Sequence, residues 1–261
     1  MRLFSFPALQ TNYFWLLQPD DNSANAYIFD PGDAEPVRQQ LKQHELTLAG
    51  IVVTHHHWDH TDGIDDLLTD FNVPVYGPSS PKIPQITHPL KGGDTLALGP
   101  LTLEVLDTPG HTLEHIAYFL PNSEPPRLFS ADNIFGAGCG RMFEGSAEQF
   151  VNSLQQLCQL PPDTLICCSH EYTIDSIQFA LSVEPNNLEL RKRQEEEKRK
   201  RAQRLPTIPS SLALELATNP FLRTTEVEVI ASAEHYSGRR LTSESEVFAA
   251  IRHWKDNFGK N

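Results

Sequence analysis

The chain contains 261 residues, of which 39% are hydrophobic, and 34 acidic against 21 basic side chains give a formal net charge of −13. This apolar content can fill the core of one large domain, or of one domain with a small appendage, and it excludes a disordered chain. The negative charge excludes a general nucleic-acid binder and should repel anionic substrates unless positive charge is concentrated locally.

The cysteines and the N-terminus indicate the compartment. The four cysteines, at positions 139, 158, 167 and 168, lack the spacing of a disulfide framework and are interpreted as reduced thiols. Pro7 interrupts the N-terminus before any long apolar region, so we expect no signal peptide. No run reaches the roughly 18 apolar residues of a membrane span. We therefore expect a cytoplasmic protein.

Up to residue 172, short β-rich runs alternate with helical stretches, which favours an α/β layered fold. The predicted helices include one that Ser146 caps, with Gln149 three residues later. The predicted strands cover 14–17, 27–29, 51–54, 101–106, 116–120, 128–130 and 165–168, and the predicted helices cover 35–44, 64–71 and 147–157.

After residue 172 the pattern becomes helical, with predicted helices over 174–183, 188–203 and 244–258. We place a domain boundary at this change. Residues 191–204 form one charge run of eight basic and three acidic residues, a net charge of +5. An anion-binding or RNA-binding patch is one interpretation. The favoured one is an exposed helix in which three glutamates each precede a basic residue by four positions.

A cluster of histidines at 55–60 is the first sequence feature that indicates a metal-binding site. The run Thr-His-His-His-Trp-Asp-His occupies positions 54–60, directly after the apolar end of a predicted strand. Because side chains alternate along an extended chain, His55 and His57 are predicted to point to the same side. Asp59 and His60 then follow as the chain turns. Imidazole and carboxylate without thiolate favour zinc, iron or manganese over a structural cysteine-rich zinc site.

Three more candidate ligands, His111, Asp132 and His170, follow later predicted strands. Sites in layered α/β folds collect at strand ends, where loops converge. With the first cluster, the inventory becomes five histidines and two aspartates. This is too many ligands for one tetrahedral zinc and suits two metals that share a bridging carboxylate.

The Thr-His-x-His-x-Asp-His run, followed in order by His111, Asp132 and His170, resembles the metallo-β-lactamase superfamily over residues 1 to about 172. The resemblance implies an αββα sandwich with the metals at one edge of the two sheets. It also implies that Asp132 bridges two metals, each with three further ligands. The first metal takes His55, His57 and His111, and the second takes Asp59, His60 and His170.

Three further segments are similar to the glyoxalase II family of hydroxyacylglutathione hydrolases: Gly-Cys-Gly-Arg-Met-Phe-Glu-Gly at 138–145, His-Glu-Tyr-Thr at 170–173 and Arg-x-x-Lys-Asp-x-Phe at 252–258. This similarity covers nearly the whole chain. It implies a catalytic domain over 1–172 and a helical C-terminal substrate-binding domain over 173–261. The positions that match the family's glutathione contacts are Arg141, Phe143, Tyr172, Arg252 and Lys255.

Several positions depart from the family pattern. Family members often carry Lys at the place of Arg141 and Tyr at the place of Phe143, and Phe143 can offer only packing or a backbone contact. Trp58 fills the variable slot of the histidine motif, where it can narrow the mouth of the site. His56 and His115 are expected to be supporting or solvated residues rather than ligands.

The resemblance implies hydrolysis of S-(2-hydroxyacyl)glutathione thioesters, with S-D-lactoylglutathione giving D-lactate and glutathione in the second step of methylglyoxal detoxification. Asp59 and Asp132 are the expected catalytic carboxylates. We expect two divalent metal ions. Zinc is the first choice, and the ligand set also accepts iron and manganese. The expected partner is the glutathione thioester, without nucleic acid or membrane, and the chain is expected to be a monomer.

Other functions stay open on the same scaffold. A glutathione-dependent persulfide dioxygenase shares the sandwich and a similar histidine motif but uses a single iron. A β-lactamase or a nuclease does not need the glutathione-type C-terminal segment. A non-catalytic binding protein would not need all seven ligands. Metal stoichiometry and oxygen consumption separate the dioxygenase from the hydrolase.

Overall fold

The computed structural model describes residues 1–259, which belong to two compact units. The first unit comprises Met1–Thr108 and Glu114–Ala131, and the second comprises Pro109–Leu113 and the described residues 132–259. Mixed sheets with helices, and a helical C-terminal region, confirm the predicted α/β class. The predicted division of the chain at residue 172 stays a prediction.

Six strands of the first unit form a mixed sheet in chain order. They are β1 (Arg2–Ala8), β2 (Asn12–Gln18), β3 (Asn25–Phe29), β4 (Thr47–Val52), β5 (Val75–Pro78) and β6 (His88–Leu90). The first three strands pair antiparallel and the others pair in parallel. The unit's helices are α1 (Ala34–Gln43), α2 (Trp58–Thr61) and α3 (Ile64–Asp70). Val37 of α1 and Leu67 of α3 share a buried core with Ile28 and Ile51, so these helices cover one face of the sheet.

The other face of this sheet packs on a second, antiparallel run of strands within the same unit. Its strands are β7 (Thr95–Leu98), β8 (Leu101–Asp107), β9 (Ile116–Leu120) and β10 (Arg127–Ala131). Phe29 of β3 stacks on Phe129 of β10 with ring centroids 3.9 Å apart. The buried hydroxyl of Tyr118 donates a 2.7 Å hydrogen bond to the Val53 carbonyl, and burial raises its pKa well above the ordinary value. The unit is thus a two-sheet sandwich with helices on one outer face.

The second unit is mostly helical. Its helices are α4 (Ala147–Leu157), α5 (Thr173–Val183), α6 (Leu188–Ala202), α7 (Leu212–Thr218), α8 (Val227–Ser237) and α9 (Glu244–Asn257). Its short strands are β11 (Ile134–Phe135) and β12 (Gly138–Cys139), which form a hairpin, and β13 (Leu165–Cys168) and β14 (Ser210–Ser211), which pair antiparallel. Among the described residues, no helix combines the length and apolarity needed to cross a membrane.

The predicted elements are found, with some differences in their limits. The expected capping box of α4 is present, because the Ser146 hydroxyl accepts from the Gln149 amide and the Gln149 side chain bonds back to Ser146. The strand predicted over 51–54 ends earlier, at Val52, because the amide and hydroxyl of Thr54 both donate to Asp30 at 2.8 Å. Helices α7 and α8 were missed. The first is short, and the second begins with a β-branched pattern typical of strands.

The charge run forms the predicted helix α6, but the expectation of a wholly exposed helix is wrong. Arg193 and Glu197 are each only 1% exposed. The ion pairs within the helix also have a different spacing, since Lys198 reaches Glu195 at 3.8 Å and Lys200 reaches Glu197 at 3.0 Å, three residues away in each case. One side of the run therefore belongs to the interior of the second unit.

Candidate metal centre and substrate-binding residues

His55 and His57 converge in the loop after β4. His55 is fully buried, and its Nε2 lies 3.1 Å from Nδ1 of His57. His57 is the residue that precedes the first turn of α2. The Thr54 hydroxyl lies 2.9 Å from Nδ1 of His55, which fixes the orientation of that ring. The two rings predicted to face the same side therefore do so, although the chain has already left the sheet.

Asp59 and His60 form a second pair on α2. His60 is fully buried, and its Nε2 lies 3.5 Å from the Asp59 carboxylate. On its other side, Nδ1 lies 3.2 Å from the carboxylate of Asp30. A carboxylate beside Nδ1 keeps the proton on that nitrogen and directs the Nε2 lone pair to a metal. Asp30 is not among the residues predicted from the sequence, although it lies directly after β3, at a strand end of the kind where ligands are expected.

Asn12 holds the carboxylate of Asp59. The Asn12 amide is 5% exposed and donates to the Asp59 carboxylate at 3.0 Å. Gly32 packs against the same residue so closely that a Cβ there would lie 2.0 Å from the Asp59 carbonyl oxygen. Asn12 is not among the predicted residues either, since a single polar residue at the start of a strand forms no sequence pattern.

The second unit places two histidines on opposite oxygens of one carboxylate. Nε2 of His111 lies 3.3 Å from Oδ2 of Asp132, and Nε2 of His170 lies 3.3 Å from Oδ1. All three residues are at most 6% exposed. A carboxylate that turns each of its oxygens toward a different imidazole has the geometry of a ligand shared by two metals.

The segment after the β11–β12 hairpin orients His111. Its Nδ1 donates a 2.7 Å hydrogen bond to the carbonyl of Arg141, so that Nε2 is the nitrogen that faces the Asp132 carboxylate. Gly140 allows this approach, because a Cβ there would lie 2.1 Å from the Asp132 carbonyl and 2.9 Å from Nδ1 of His111. The Gly-Cys-Gly-Arg segment thus fixes the orientation of the His111 ring as well as carrying Arg141.

Two exposed aromatic rings lie against these histidines. Tyr172 stacks on His170 with centroids 4.7 Å apart, and Phe143 meets His111 edge-on at 5.4 Å. Phe143 is 60% exposed although it is large and apolar. Its backbone amide donates to the His111 carbonyl at 3.2 Å. Exposed aromatics beside buried ligands are typical of a substrate-binding surface.

Two of the predicted glutathione contacts share one acid. Nη2 of Arg252 donates to Oδ1 of Asp256 at 2.9 Å, and Nε of Arg141 lies 3.7 Å from the same oxygen. Arg252 is 5% exposed, lies over the Phe221 ring and donates to the Cys139 carbonyl at 2.9 Å, whereas Arg141 is more than half exposed. Arg252 is therefore a buried structural residue of the unit, and Arg141 is the solvent-accessible cation of the pair.

Lys255 lies one turn beyond Arg252 on α9. Its ammonium donates to the Asp175 carbonyl at 3.0 Å and sits over the rings of Phe179 and Phe258. Partial burial, followed by repulsion from Arg252, lowers the pKa of Lys255 to about 8. The side chain can therefore lose its proton in the physiological range.

The two histidines expected to be supporting residues rather than ligands, His56 and His115, both have polar contacts. His56 is bonded to the Glu114 carboxylate and lies 3.2 Å from the Lys82 ammonium. His115 lies 3.0 Å from the Thr108 hydroxyl and stacks on His55. Trp58 is 62% exposed.

The donor sets suit divalent metal ions in both units. The first unit offers two pairs, His55 with His57 and Asp59 with His60. The second offers two histidines on a shared carboxylate. Neutral imidazoles with oriented tautomers and aspartate oxygens are the ligands that zinc, iron and manganese accept.

Comparisons with known proteins identify the family of this chain. A model of the metallo-beta-lactamase superfamily matches residues 7–170, and a model of the hydroxyacylglutathione hydrolase C-terminus matches residues 171–258. A hydroxyacylglutathione hydrolase of Nitrosomonas europaea is 50% identical over 100% of this chain and 98% of its own length.

Solved structures show the same fold. The crystal structure of ETHE1 from Myxococcus xanthus is 24% identical, with a TM-score of 0.67 over 98% of each chain. The structure of TTHA1623 in a di-iron-bound form is 26% identical, with a TM-score of 0.55 over 65% of this chain and 92% of its own. The chain therefore belongs to the metallo-beta-lactamase superfamily and, within it, to the hydroxyacylglutathione hydrolase family.

Proposed function

We propose that the protein hydrolyses S-(2-hydroxyacyl)glutathione thioesters, with S-D-lactoylglutathione as the substrate that gives D-lactate and glutathione. The observation that carries the proposal is the Asp132 carboxylate, whose two oxygens each face a different buried histidine. The name of the relative that is half identical over the whole chain supports the choice of substrate.

The seven predicted ligands would hold two divalent ions. His55, His57 and His111 would bind one, Asp59, His60 and His170 would bind the other, and Asp132 would bridge them. When bound, such ions lower the pKa of a coordinated water so that a nucleophile forms near neutral pH, and they stabilise negative charge on the thioester carbonyl oxygen. Zinc is the proposed metal, and the di-iron form of TTHA1623 makes iron the alternative that metal analysis must address.

The protein's own residues would position the reactants. Asp59, with one carboxylate oxygen held by the Asn12 amide at 3.0 Å, would orient the attacking water toward the carbonyl carbon. The departing sulfur belongs to a cysteine-type thiol with a pKa of about 8.5, so it can leave as a thiolate. The reaction therefore needs no general acid from the chain.

The glutathione arm would bind to the second unit, with residues 173–261 as the substrate-binding domain. Its carboxylates are expected to pair with Arg141 and Lys255, which are accessible, while Arg252 holds Asp256 and the Cys139 carbonyl in place. Phe143 and Tyr172 would pack against its apolar parts. The positive charge that an anionic substrate needs is thus supplied locally on an acidic protein.

The direct test is Asp132→Ala, with metal content measured on the same sample. We expect kcat/KM for S-D-lactoylglutathione to fall at least about a hundredfold and the metal content to fall below two ions per chain. Asp163→Ala, which removes an exposed acid of the same unit, is the matched control and should leave both unchanged.

Full activity with two retained metals in Asp132→Ala would contradict the ligand assignment. A wild-type protein that consumes oxygen with a glutathione persulfide, and leaves the thioester intact, would contradict the hydrolase assignment. A panel of glutathione thioesters then defines the range of acyl groups.

A further inference from the structure

A buried carboxylate far from the proposed ligands in sequence lies at the centre of a hydrogen-bond network. Glu215 of α7 is fully buried. Its Oε1 accepts from Nη2 of Arg193 at 2.5 Å and from the Ser210 hydroxyl at 2.6 Å. Its Oε2 accepts from the Ala137 amide at 2.8 Å and from the Asn219 side chain at 3.2 Å. Four donors from different parts of the second unit thus meet on one side chain.

Arg193 is the basic partner of this carboxylate in the interior. It is the inward-facing arginine of the charge run, and its Nη1 also donates to the Thr218 hydroxyl at 2.7 Å. A buried charge without a partner would be strongly unfavourable, so the arginine and the glutamate depend on each other.

The network fixes the β11–β12 hairpin. Ala137, at its turn, has a φ of +56°, a left-handed conformation that a residue with a Cβ rarely adopts. The Glu215 carboxylate accepts the amide hydrogen of this residue. Asn219, itself bonded to Glu215, also donates to the Gly138 carbonyl at 2.8 Å and to the Phe135 carbonyl at 3.4 Å. Both strands and the turn of the hairpin are therefore held from one side.

The hairpin leads directly into the residues proposed to bind the substrate. Asp132 lies just before it and Arg141 just after it. The carbonyl of Cys139, its last strand residue, accepts from Arg252 at 2.9 Å, and the carbonyl of Arg141 accepts from His111 at 2.7 Å. A displacement of the hairpin would move these cations relative to the bridging carboxylate.

We propose that Glu215, paired with Arg193, is a positioning residue for the substrate-binding surface: it holds the β11–β12 hairpin so that Arg141 meets the glutathione arm and the Cys139 carbonyl keeps its contact with Arg252. This inference rests on the proposed function. It also gives a role to Arg193, whose burial is not explained by the interpretation of the charge run as an exposed helix.

The test is Glu215→Gln, which keeps the size of the side chain but removes its charge and replaces one acceptor by a donor. We expect KM for S-D-lactoylglutathione to rise about tenfold, because buried hydrogen bonds to a charged group are lost, and kcat to stay within about threefold. Metal content should stay at the wild-type value. The N-acetylcysteamine thioester of the same acid, which lacks the glutathione arm, should keep its kcat/KM.

Two further variants support the comparison. Glu196→Gln, on the exposed face of α6, is the matched control and should match wild type in every measurement. Ser210→Ala removes one donor and preserves the ion pair, so it keeps the test decisive if Glu215→Gln does not fold. We expect it to raise KM about two- to threefold. Hydrogen exchange at 134–140 should also be faster in Ser210→Ala than in wild type.

An unchanged KM in folded Glu215→Gln, or in Ser210→Ala if only that variant folds, would overturn the positioning role. So would an equal loss of activity toward the truncated thioester, which would indicate a general loss of structure. These results are distinct from a failure of the proposed function, which would appear as a wild-type protein that does not hydrolyse the glutathione thioester.

Discussion

Three of the proposed metal-binding histidines, His55, His60 and His111, are oriented by a contact at Nδ1. His60 has the Asp30 carboxylate at Nδ1, and His111 donates from Nδ1 to the Arg141 carbonyl. Such contacts fix the tautomer, and their loss usually costs about ten- to a hundredfold in metal affinity or activity. The types and order of the proposed ligands could be predicted from the sequence, and their role as ligands stays a prediction. Asp30 and Asn12 could not be predicted, because single polar residues at strand ends acquire a partner only when the fold forms.

Lys255 allows a prediction about pH. Its pKa is lowered to about 8, chiefly by burial and then by Arg252, while Asp175, Cys139 and Asp256 also face it. The ammonium is therefore charged below pH 8 and neutral above it. If it pairs with a substrate carboxylate, KM for the glutathione thioester should rise about fivefold between pH 7 and pH 9.5, as about 1 kcal/mol of ion pairing is lost.

Lys255→Arg is the control for this prediction, since arginine stays charged throughout that range. The rise in KM should be absent in that variant, although the substrate's own amine titrates equally in both experiments. The same rise in Lys255→Arg would assign the pH effect to the substrate.

At the scale of elements, the boundaries that side-chain caps define were the most predictable. Ser146 and Gln149 predicted the start of α4, and the structure contains both reciprocal hydrogen bonds. Helix α6 was also predicted, but its buried side was not, because a charge run has no apolar stripe to show which face turns inward. Arg193 and Glu197 are buried through polar partners, which no periodicity reveals. Helix α7 was not predicted because it is short, and its central residue is the buried Glu215.

The cap of α4 gives a prediction about stability. Ser146→Ala removes one half of the capping box and should lower the free energy of unfolding by about 1 kcal/mol. For a chain of this size, that corresponds to a decrease of about 3 °C in Tm, measured by thermal denaturation.

Ser182→Ala is the matched substitution, since Ser182 is an exposed residue within α5 that caps nothing. It should change Tm by less than about 1 °C. Equal effects of the two substitutions would show that the cap contributes nothing specific.

At the scale of the whole molecule, the net charge of −13 does not describe the surroundings of the site. The charge run contributes +5, and Asp59 and Asp132 would be more than neutralised by two divalent ions. Arg141 and Lys255 add accessible cations on the second unit. The acidic composition still disfavours nucleic acid as a partner, and it is compatible with an anionic thioester because the positive potential is local.

Metal removal should also affect the stability of the whole chain. Ions that bind only the folded state stabilise it by mass action, about 4 kcal/mol at a thousandfold excess over Kd. Chelation should therefore lower Tm by about 10 °C, and added zinc should restore it. The control is the same chelator saturated with zinc in advance. An unchanged Tm in protein shown by elemental analysis to be metal-free would contradict the proposed ligand set.

The β11–β12 hairpin has a consequence for how this protein could be recombined with its relatives. The ten positions from Asp132 to Arg141 carry both a proposed metal ligand and a proposed substrate contact, which makes them an attractive cassette for loop exchange. The side chains that hold this cassette, Glu215 and Asn219, come about eighty positions later in the chain. A chimaera that imports the segment alone would separate it from its support. A successful crossover must transfer both regions together, so new substrate specificity in this family would be inherited as two distant segments rather than one.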